Sequence, residues 1–399
     1  MFAPGFNANY LLGQTKHIVE ETSVFVDILR EHARKGDLFS LDRLTCDFTM
    51  DIIGAVCLNS RLNSQREYNP LASAMRSQIN WHCSSEELNL FKRWNPVRPF
   101  VQWNNSRIMD NYVAKELDKR FAERQGGSKD TTSRSIIDLV LDNYMMENTT
   151  LDPAKGMDEA FKKWAQVQIR LMIFAGHDST ASTICYCYYL LSKHPAALEK
   201  IRAEHDEVLG TDINKVASLL LETPQLINRL IYTNAVMKEA LRLFPPASAL
   251  RGGEPGIELQ DSHGNRYPTE EMNLFVIHYR LQRHPQYWKD PESFIPERWL
   301  VGPEDPLYPP KGGWRPFEYG PRNCVGQTLV VQDIKTVLAM TLREFDICPA
   351  YEEYDRLHPT KDLKTVFGER AYQVSIGAAH PADGFPCRVS LSTRVCKSS

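Results

Sequence analysis

Apolar residues recur at helical spacing through most of the first two thirds of the chain. Between residues 11 and 35, apolar side chains fall close to a 3.6-residue period, which predicts an amphipathic helix. The same pattern predicts helices over residues 41–56, about 158–193, 196–208, 226–244 and 324–344. An aromatic-rich stretch predicts one more long helix after Pro99, and His194-Pro195 ends the longest helix.

After residue 244 the helical pattern gives way to frequent prolines and glycines. Short strand-like segments follow at Leu274 to Ile277, Tyr372 to Ile376 and Arg388 to Ser392, the last two on either side of a turn at residues 381–384. Residues 125–133 read as a flexible loop. We therefore predict a mainly α protein with a small β-rich portion, in a single domain over residues 1–399.

Composition narrows the class of protein. The 399 residues are 42% hydrophobic and 24% charged, which is typical of a globular chain and not of a disordered one. The net charge of -3 gives no basic excess of the kind that nucleic-acid binding requires. We find neither a signal peptide nor an unbroken apolar run long enough for a membrane span.

The chain contains nine cysteines, an odd number without a repeating spacing. This pattern argues against a disulfide framework and for a reducing compartment. Most of the nine are expected to be small buried apolar residues, so a chemical role for any of them requires a special sequence context.

Cys324 has such a context. It ends a proline- and glycine-rich loop and directly precedes a predicted apolar helix. The helix N-terminus favours a thiolate, because unpaired N–H groups and the helix dipole stabilise negative charge. Gly320 and Gly326 allow tight turns or close approach of a flat ligand, and Arg322 could neutralise an anion on that ligand. The ordinary alternative is a buried cysteine in a turn before a core helix.

The stretch from Phe317 to Gly326 reads Phe-x-x-Gly-x-Arg-x-Cys-x-Gly without a gap. It resembles the haem-binding signature of the cytochrome P450 family. The resemblance implies a P450 fold, with haem b as cofactor and Cys324 as the thiolate ligand of its iron. It further implies that Arg322 holds a haem propionate and that Phe317 and Gly326 border the cofactor.

Two further motifs of that family follow one another in the expected order. Glu239 and Arg242 stand three residues apart on one helical face, which alone would suggest an ordinary surface pair. Arg298 lies in Phe-Ile-Pro-Glu-Arg-Trp, which resembles the family's second arginine motif. The resemblance implies that these three form a buried network bracing the cysteine loop. Arg251, after a proline turn, is the family's candidate for a second propionate contact, unless it is simply a solvated arginine.

The last motif lies in the middle of the longest predicted helix, in the segment Ala175, Gly176, His177, Asp178, Ser179 and Thr180. A glycine there costs about 1 kcal/mol relative to alanine, so it has a reason, either packing or function. The resemblance implies a groove over the haem at Ala175 and Gly176, where dioxygen sits. Asp178 would relay protons, and a hydroxyl after it would hydrogen-bond dioxygen or a water.

This sequence has serine where the family usually has threonine, so either Ser179 or Thr180 could supply that hydroxyl. His177 is expected to pack or to face solvent, without a ligand role.

The chain start resembles the segment after the family's third major helix, so we expect the family's N-terminal part to be absent. The resemblance implies a monooxygenase that inserts one oxygen atom from O2 into an apolar small molecule, such as a fungal polyketide-type secondary metabolite. Electrons would come from NADPH through a flavin reductase at the cytosolic face of the endoplasmic reticulum, with membrane contact possible in a full-length form. The alternatives are a haem-thiolate isomerase or dehydratase, which Asp178-Ser179 disfavours, and a non-catalytic haem-binding or inert relic.

Overall fold

The computed structural model describes residues 10, 12–82, 95–125, 135–147, 156–359 and 364–392. Helices dominate this part of the chain, as the apolar period predicts. They are α1 (Thr15–Lys35), α2 (Leu41–Leu58), α3 (Pro70–Asn80), α4 (Arg98–Gln125), α5 (Ile136–Glu147), α6 (Glu159–Lys193), α7 (Pro195–Leu209), α8 (Val216–Glu222), α9 (Ile231–Leu243), α10 (His278–Leu281), α11 (Gln327–Thr341) and α12 (Tyr351–Leu357).

The strands are short and form four small antiparallel sheets within the described residues. They are β1 (Phe39–Ser40), β2 (Ala249–Gly252), β3 (Glu258–Gln260), β4 (Arg266–Pro268), β5 (Asn273–Val276), β6 (Phe345–Pro349), β7 (Gln373–Ile376), β8 (Ala378–Pro381) and β9 (Pro386–Leu391). The predicted fold class, mainly α with a small β portion, is confirmed.

The chain divides into two compact units, one formed by Met1–Asn234 with Val325–Ser399 and the other by Ala235–Cys324. In the first unit α6 is the central element, and α2 packs along it. Asp158 caps α6 by accepting a hydrogen bond from the Phe161 N–H at 2.8 Å, which fixes where the helix starts. Towards its C-terminal half nearly every side chain of α6 is buried, as a core helix requires.

The closing strands are arranged differently from the sequence-based prediction. Tyr372 to Ile376 and Arg388 to Ser392 were expected to flank one turn, but β7 pairs with β8, and β9 pairs with β6 and β1. The hairpin turn lies at Gly377, whose φ of 78° is accessible to glycine at little cost. The prediction was wrong here because the two-residue alternation cannot show which strand is the partner.

The predicted helix over residues 226–244 is also divided. A 3₁₀ segment, Pro224–Arg229, comes first, and α9 begins at Ile231. Ile227 and Leu230 pack into a buried apolar cluster together with Val19 and Leu220. Apolar residues three apart share one face in a 3₁₀ segment as well as in an α-helix, so the pattern could not separate the two.

The second unit contains the end of α9, the β2–β5 pair, the β3–β4 hairpin and α10. Its core contains both aromatic and charged side chains, since Trp288, Arg242 and Arg298 are fully buried. No helix within the described residues is long and apolar enough to cross a membrane.

Candidate active site

The cysteine loop has a defined backbone shape within the second unit. The Cys324 N–H donates to the Phe317 carbonyl oxygen at 2.7 Å, and the Asn323 N–H donates to the Gly320 carbonyl oxygen at 3.0 Å. Gly320 has a φ of 86°, which lets the loop turn at that point. Phe317 is buried, whereas Cys324 is exposed. The loop therefore turns its aromatic residue inward and presents the cysteine outward.

Glu239, Arg242 and Arg298 lie together as a fully buried network. Both arginines bind the Glu239 carboxylate, Arg242 through Nη2 at 2.8 Å and Arg298 through Nε at 2.9 Å. The Trp299 indole N–H and the Ile295 backbone N–H donate to the same carboxylate at 3.0 and 3.1 Å. Arg242 also donates to three backbone carbonyls, so the buried charges are both paired and hydrogen-bonded.

A row of aromatic rings links this network to the cysteine loop. Trp299 contacts Trp314 at 5.3 Å between ring centroids, and Trp314 contacts Phe317 at 5.8 Å. The Trp314 indole N–H donates to the Lys238 carbonyl, next to Glu239. Network and loop are thus one packed assembly in the second unit, and the position of Cys324 depends on it through Phe317.

Arg251 forms an ion pair inside its own unit. Its Nη2 lies 2.5 Å from Oε2 of Glu318, a residue of the cysteine loop with a φ of 61°. His278 Nε2 and the Arg315 guanidinium also contact Glu318, at 3.1 Å each. Burial alone would raise the pKa of Glu318, but these contacts outweigh burial and lower it. Sequence reasoning missed Glu318, which fastens the loop to the strand that carries Arg251.

The other residues of the predicted haem signature are accessible. Arg322 is exposed, and Gly326 is half-buried in the first unit, just before α11.

One stripe of α6 is apolar and accessible within the first unit. Val167 and Leu171 are 53% and 57% exposed, Ala175 is exposed, and Ser179 follows at the same four-residue spacing. The Ser179 hydroxyl donates to the Ala175 carbonyl oxygen at 3.0 Å. Exposed apolar residues in a row mark a surface that binds something apolar.

Gly176 and Thr180 lie away from that stripe. A side chain at Gly176 would meet the Ile53 side chain of α2 at 2.7 Å, so close packing accounts for this glycine. Thr180 is 1% exposed, and its hydroxyl has no hydrogen-bond partner among the described residues. Of the two candidate hydroxyls, Ser179 shares the accessible stripe with Ala175.

Asp178 points into the first unit and is held by the β7–β8 hairpin. Its Oδ1 lies 3.2 Å from His380 Nε2, and its Oδ2 accepts the Ala378 backbone N–H. On the other side of the ring, His380 Nδ1 lies 2.7 Å from Asp42 Oδ1, at the start of α2. Any side chain at Gly377 would collide with the Asp178 carboxylate, which explains the glycine in that turn.

This arrangement charges the histidine. Burial lowers the pKa of His380, but hydrogen bonds and charge from Asp178 and Asp42 outweigh it and raise the value to about 10. At Asp178, burial alone would raise the pKa, but the contact with His380 outweighs burial and lowers it. An imidazolium therefore lies between two carboxylates.

His380 was missed by sequence reasoning. It is 202 positions from Asp178, and a single histidine near a turn carries no spacing signal. His177, expected to pack or to face solvent, is buried, and its Nδ1 lies 2.8 Å from the Ile173 carbonyl oxygen.

The raised pKa of His380 predicts a loss of stability in alkali. The stability advantage of the native chain over His380→Gln should be largest below pH 6.5, where the histidine of the unfolded chain is charged too. This advantage should fall as the pH rises through about 10, where the folded imidazolium titrates. We expect a difference on the order of a few kcal/mol, measured as denaturation midpoints of both proteins against pH. A constant difference between pH 6 and 10 would contradict the charged state.

The residues present fit a haem group. A thiolate ligand of haem iron must be reachable, and Cys324 is exposed at the end of a fixed loop. On the apolar stripe of α6, Ala175 and Leu171 are exposed among the described residues. Haem, a flat and largely apolar macrocycle, requires an accessible ligand atom for its iron and an apolar surface for its ring.

Comparison with known proteins agrees with this geometry. The family model described as cytochrome P450 matches residues 1–376. The chain is 42% identical over 392 residues to cytochrome P450 monooxygenase polC of Polytolypa hystricis (strain UAMH7299), covering 98% of this chain and 70% of that protein. It is 33% identical over 411 residues to cytochrome P450 monooxygenase acrF of Aspergillus aculeatus (strain ATCC 16872 / CBS 172.66 / WB 5094), covering 98% and 81%.

The fold agrees as well. The haem domain of cytochrome P450DA superposes with a TM-score of 0.74 at 18% identity, covering 99% of this chain and 76% of that domain. Haem b is the cofactor of this family and fold. On the family match and the monooxygenase relatives together, the chain belongs to the cytochrome P450 family and is a monooxygenase.

Proposed function

We propose that this monooxygenase inserts one oxygen atom from O2 into an apolar organic molecule, with Cys324 as the axial ligand of the haem iron. The observation that carries the proposal is the exposed Cys324 at the end of a loop braced by the buried Glu239 network. The apolar stripe with Val167 and Leu171 supports an apolar substrate. Haem with a thiolate ligand supplies O–O bond cleavage when it is bound.

The chain's own residues hold the cofactor and move protons. Arg322 is accessible and would pair with a haem propionate. Arg251 would also pair with a propionate while its guanidinium stays bound to Glu318. Asp178 would supply the protons that O–O cleavage consumes. The Ser179 hydroxyl, on the same stripe as Ala175, would orient the oxygen substrate or a water.

The finer assignments rest on resemblance and on the source of the relatives. Two of them come from fungi, which supports a fungal secondary metabolite, of the polyketide type, as substrate. Electrons would come from an NADPH-cytochrome P450 reductase type flavoprotein, with the exposed Lys311 beside the loop as a docking charge. We place the reaction at the cytosolic face of the endoplasmic reticulum.

Purified protein tests the proposal. Haem in a one-to-one ratio, together with NADPH-dependent oxygen consumption in the presence of the reductase, would support it. A haem-bound protein that converts substrate without oxygen or NADPH would be an isomerase or dehydratase. Failure to bind haem would leave an inert relic and overturn the proposal.

Asp178→Asn is expected to slow coupled turnover about a hundredfold or more, because a positioned proton donor typically contributes at least that much. Haem content should not change. The measurements are the rate of product formation and the product formed per NADPH consumed. Asp51→Asn is the matched control, since Asp51 is equally buried on α2 and accepts its hydrogen bonds from Ser64 and Gln65. Normal coupling in Asp178→Asn would remove its relay role.

A further inference from the structure

A cavity of about 220 Å³ lies beside Asp178 inside the first unit. Asp42 and Arg43 of α2, Arg76 of α3, and Asp178 and His380 contribute to its lining. Because a water molecule takes about 30 Å³ in the liquid, the cavity has room for several. Polar and charged groups on several sides make it a place where water is favourable.

Exposure falls along the lining from the surface inward. The Arg43 side chain is 56% exposed, Asp42 is 17% exposed, and His380 and Asp178 are each 6% exposed. The cavity therefore connects the protein surface with the Asp178 carboxylate. The accessible stripe of α6 that carries Ala175 and Ser179 is a separate face of the same helix.

We propose that His380 is a positioning residue for Asp178, holding its carboxylate at the inner end of this cavity, so that Asp178 takes up protons from cavity water. The proposal rests on the relay role of Asp178 under the proposed function. In each cycle Asp178 accepts one proton from a cavity water and passes it on. That water gains a proton from its neighbour on the solvent side in the same relay, so no hydroxide is left and one proton is taken up from solvent for each one delivered.

The groups around His380 explain why its charge persists. Those facing it or sharing its cavity are Asp42, Arg43 and Cys46 of α2, Arg76 of α3, and His177 and Asp178 of α6. Arg43 and Arg76 are both paired with Asp47, so their charges are largely met elsewhere. Asp42 and Asp178 remain as the direct partners of the ring.

The same groups could suggest a metal site instead, because donor atoms of Asp42, Cys46 and His380 lie within 4.8 Å of one another. A metal would need the His380 nitrogen and the Cys46 sulfur deprotonated. Burial, with the nearby carboxylates, raises the pKa of Cys46 well above its ordinary value, and that of His380 is raised as well. Both ring nitrogens of His380 already contact carboxylates, of Asp42 and Asp178, so the cluster favours protons over a metal ion.

The test follows the protonation of Asp178 directly, by infrared spectroscopy of the haem-loaded protein. The carboxylic acid C=O band that Asp178→Asn removes identifies the residue. In His380→Gln, which keeps a hydrogen-bond donor but loses the charge, this band should be present at about pH 5, because a buried aspartate without a cation titrates above its ordinary 3.9. It should be absent at that pH in the native chain and in His380→Lys, which restores the charge.

His205→Gln is the matched control, since His205 is fully buried in the same unit and contacts Thr233. It should leave the Asp178 band as in the native chain. Should His380→Gln fail to fold, the smaller His380→Asn replaces it with the same expectation.

The pH profile of coupled turnover is the second readout. The limb of this profile that reports the titration of Asp178 should move to a higher pH, by about one pH unit or more, in His380→Gln. An Asp178 band still absent at about pH 5 in a folded variant would overturn the role of His380. Normal coupling in Asp178→Asn, together with an Asp178 band that is present at about pH 5 in His380→Gln, would instead overturn the relay and leave the positioning intact.

Discussion

Replacing Cys324 with alanine is expected to abolish the thiolate-type Soret band that the native protein should show with carbon monoxide. The band depends on a sulfur–iron bond, and alanine offers no ligand atom. The loop itself should persist, because the hydrogen bond that closes it uses the Cys324 backbone N–H and the Phe317 carbonyl. Turnover should fall to background.

Cys348→Ala is the matched control for this experiment. Cys348 is also exposed and forms no disulfide, but it lies on β6. It should keep the native spectrum and the native haem content. An unchanged carbon monoxide spectrum in Cys324→Ala would overturn the ligand assignment, whatever the effect on turnover.

The helices could be predicted because their signals are local. The apolar period and His194-Pro195 as stop placed the longest helix over about 158–193, and the structure has it at Glu159–Lys193. The sequence also indicates that Glu239 and Arg242 share a face, since their spacing is a property of one helix. Arg298 joined them only through its resemblance to a family motif.

The environment of Asp178 could not be predicted in the same way. The contact with His380 depends on which strand pairs with β7, and that pairing was assigned wrongly from the alternation. Glu318 is similar, because its partners Arg251 and His278 come from separate segments. Ion pairs between distant segments leave no period in the sequence, so motifs located the chemistry while the fold supplied its partners.

Glu239→Gln is expected to destabilise the protein by about 3–5 kcal/mol, the usual cost of breaking a buried charge pair. The carboxylate balances two buried guanidinium groups, and both Arg242 and Arg298 are 0% exposed. An amide cannot balance either charge. Its NH₂ group would also face an N–H group that now donates a hydrogen bond to the carboxylate. The loss should appear in the denaturation midpoint of the protein.

The second effect of this substitution should reach the cofactor. Because Trp299, Trp314 and Phe317 link the network to the cysteine loop, haem content should fall along with stability. Glu258→Gln is the matched control in the same unit, where the partner Arg266 is 72% exposed and the pair is worth at most about 1 kcal/mol. If both variants lost equally little stability, the buried network would not brace the loop, and the position of Cys324 would have to depend on the Glu318 contacts instead.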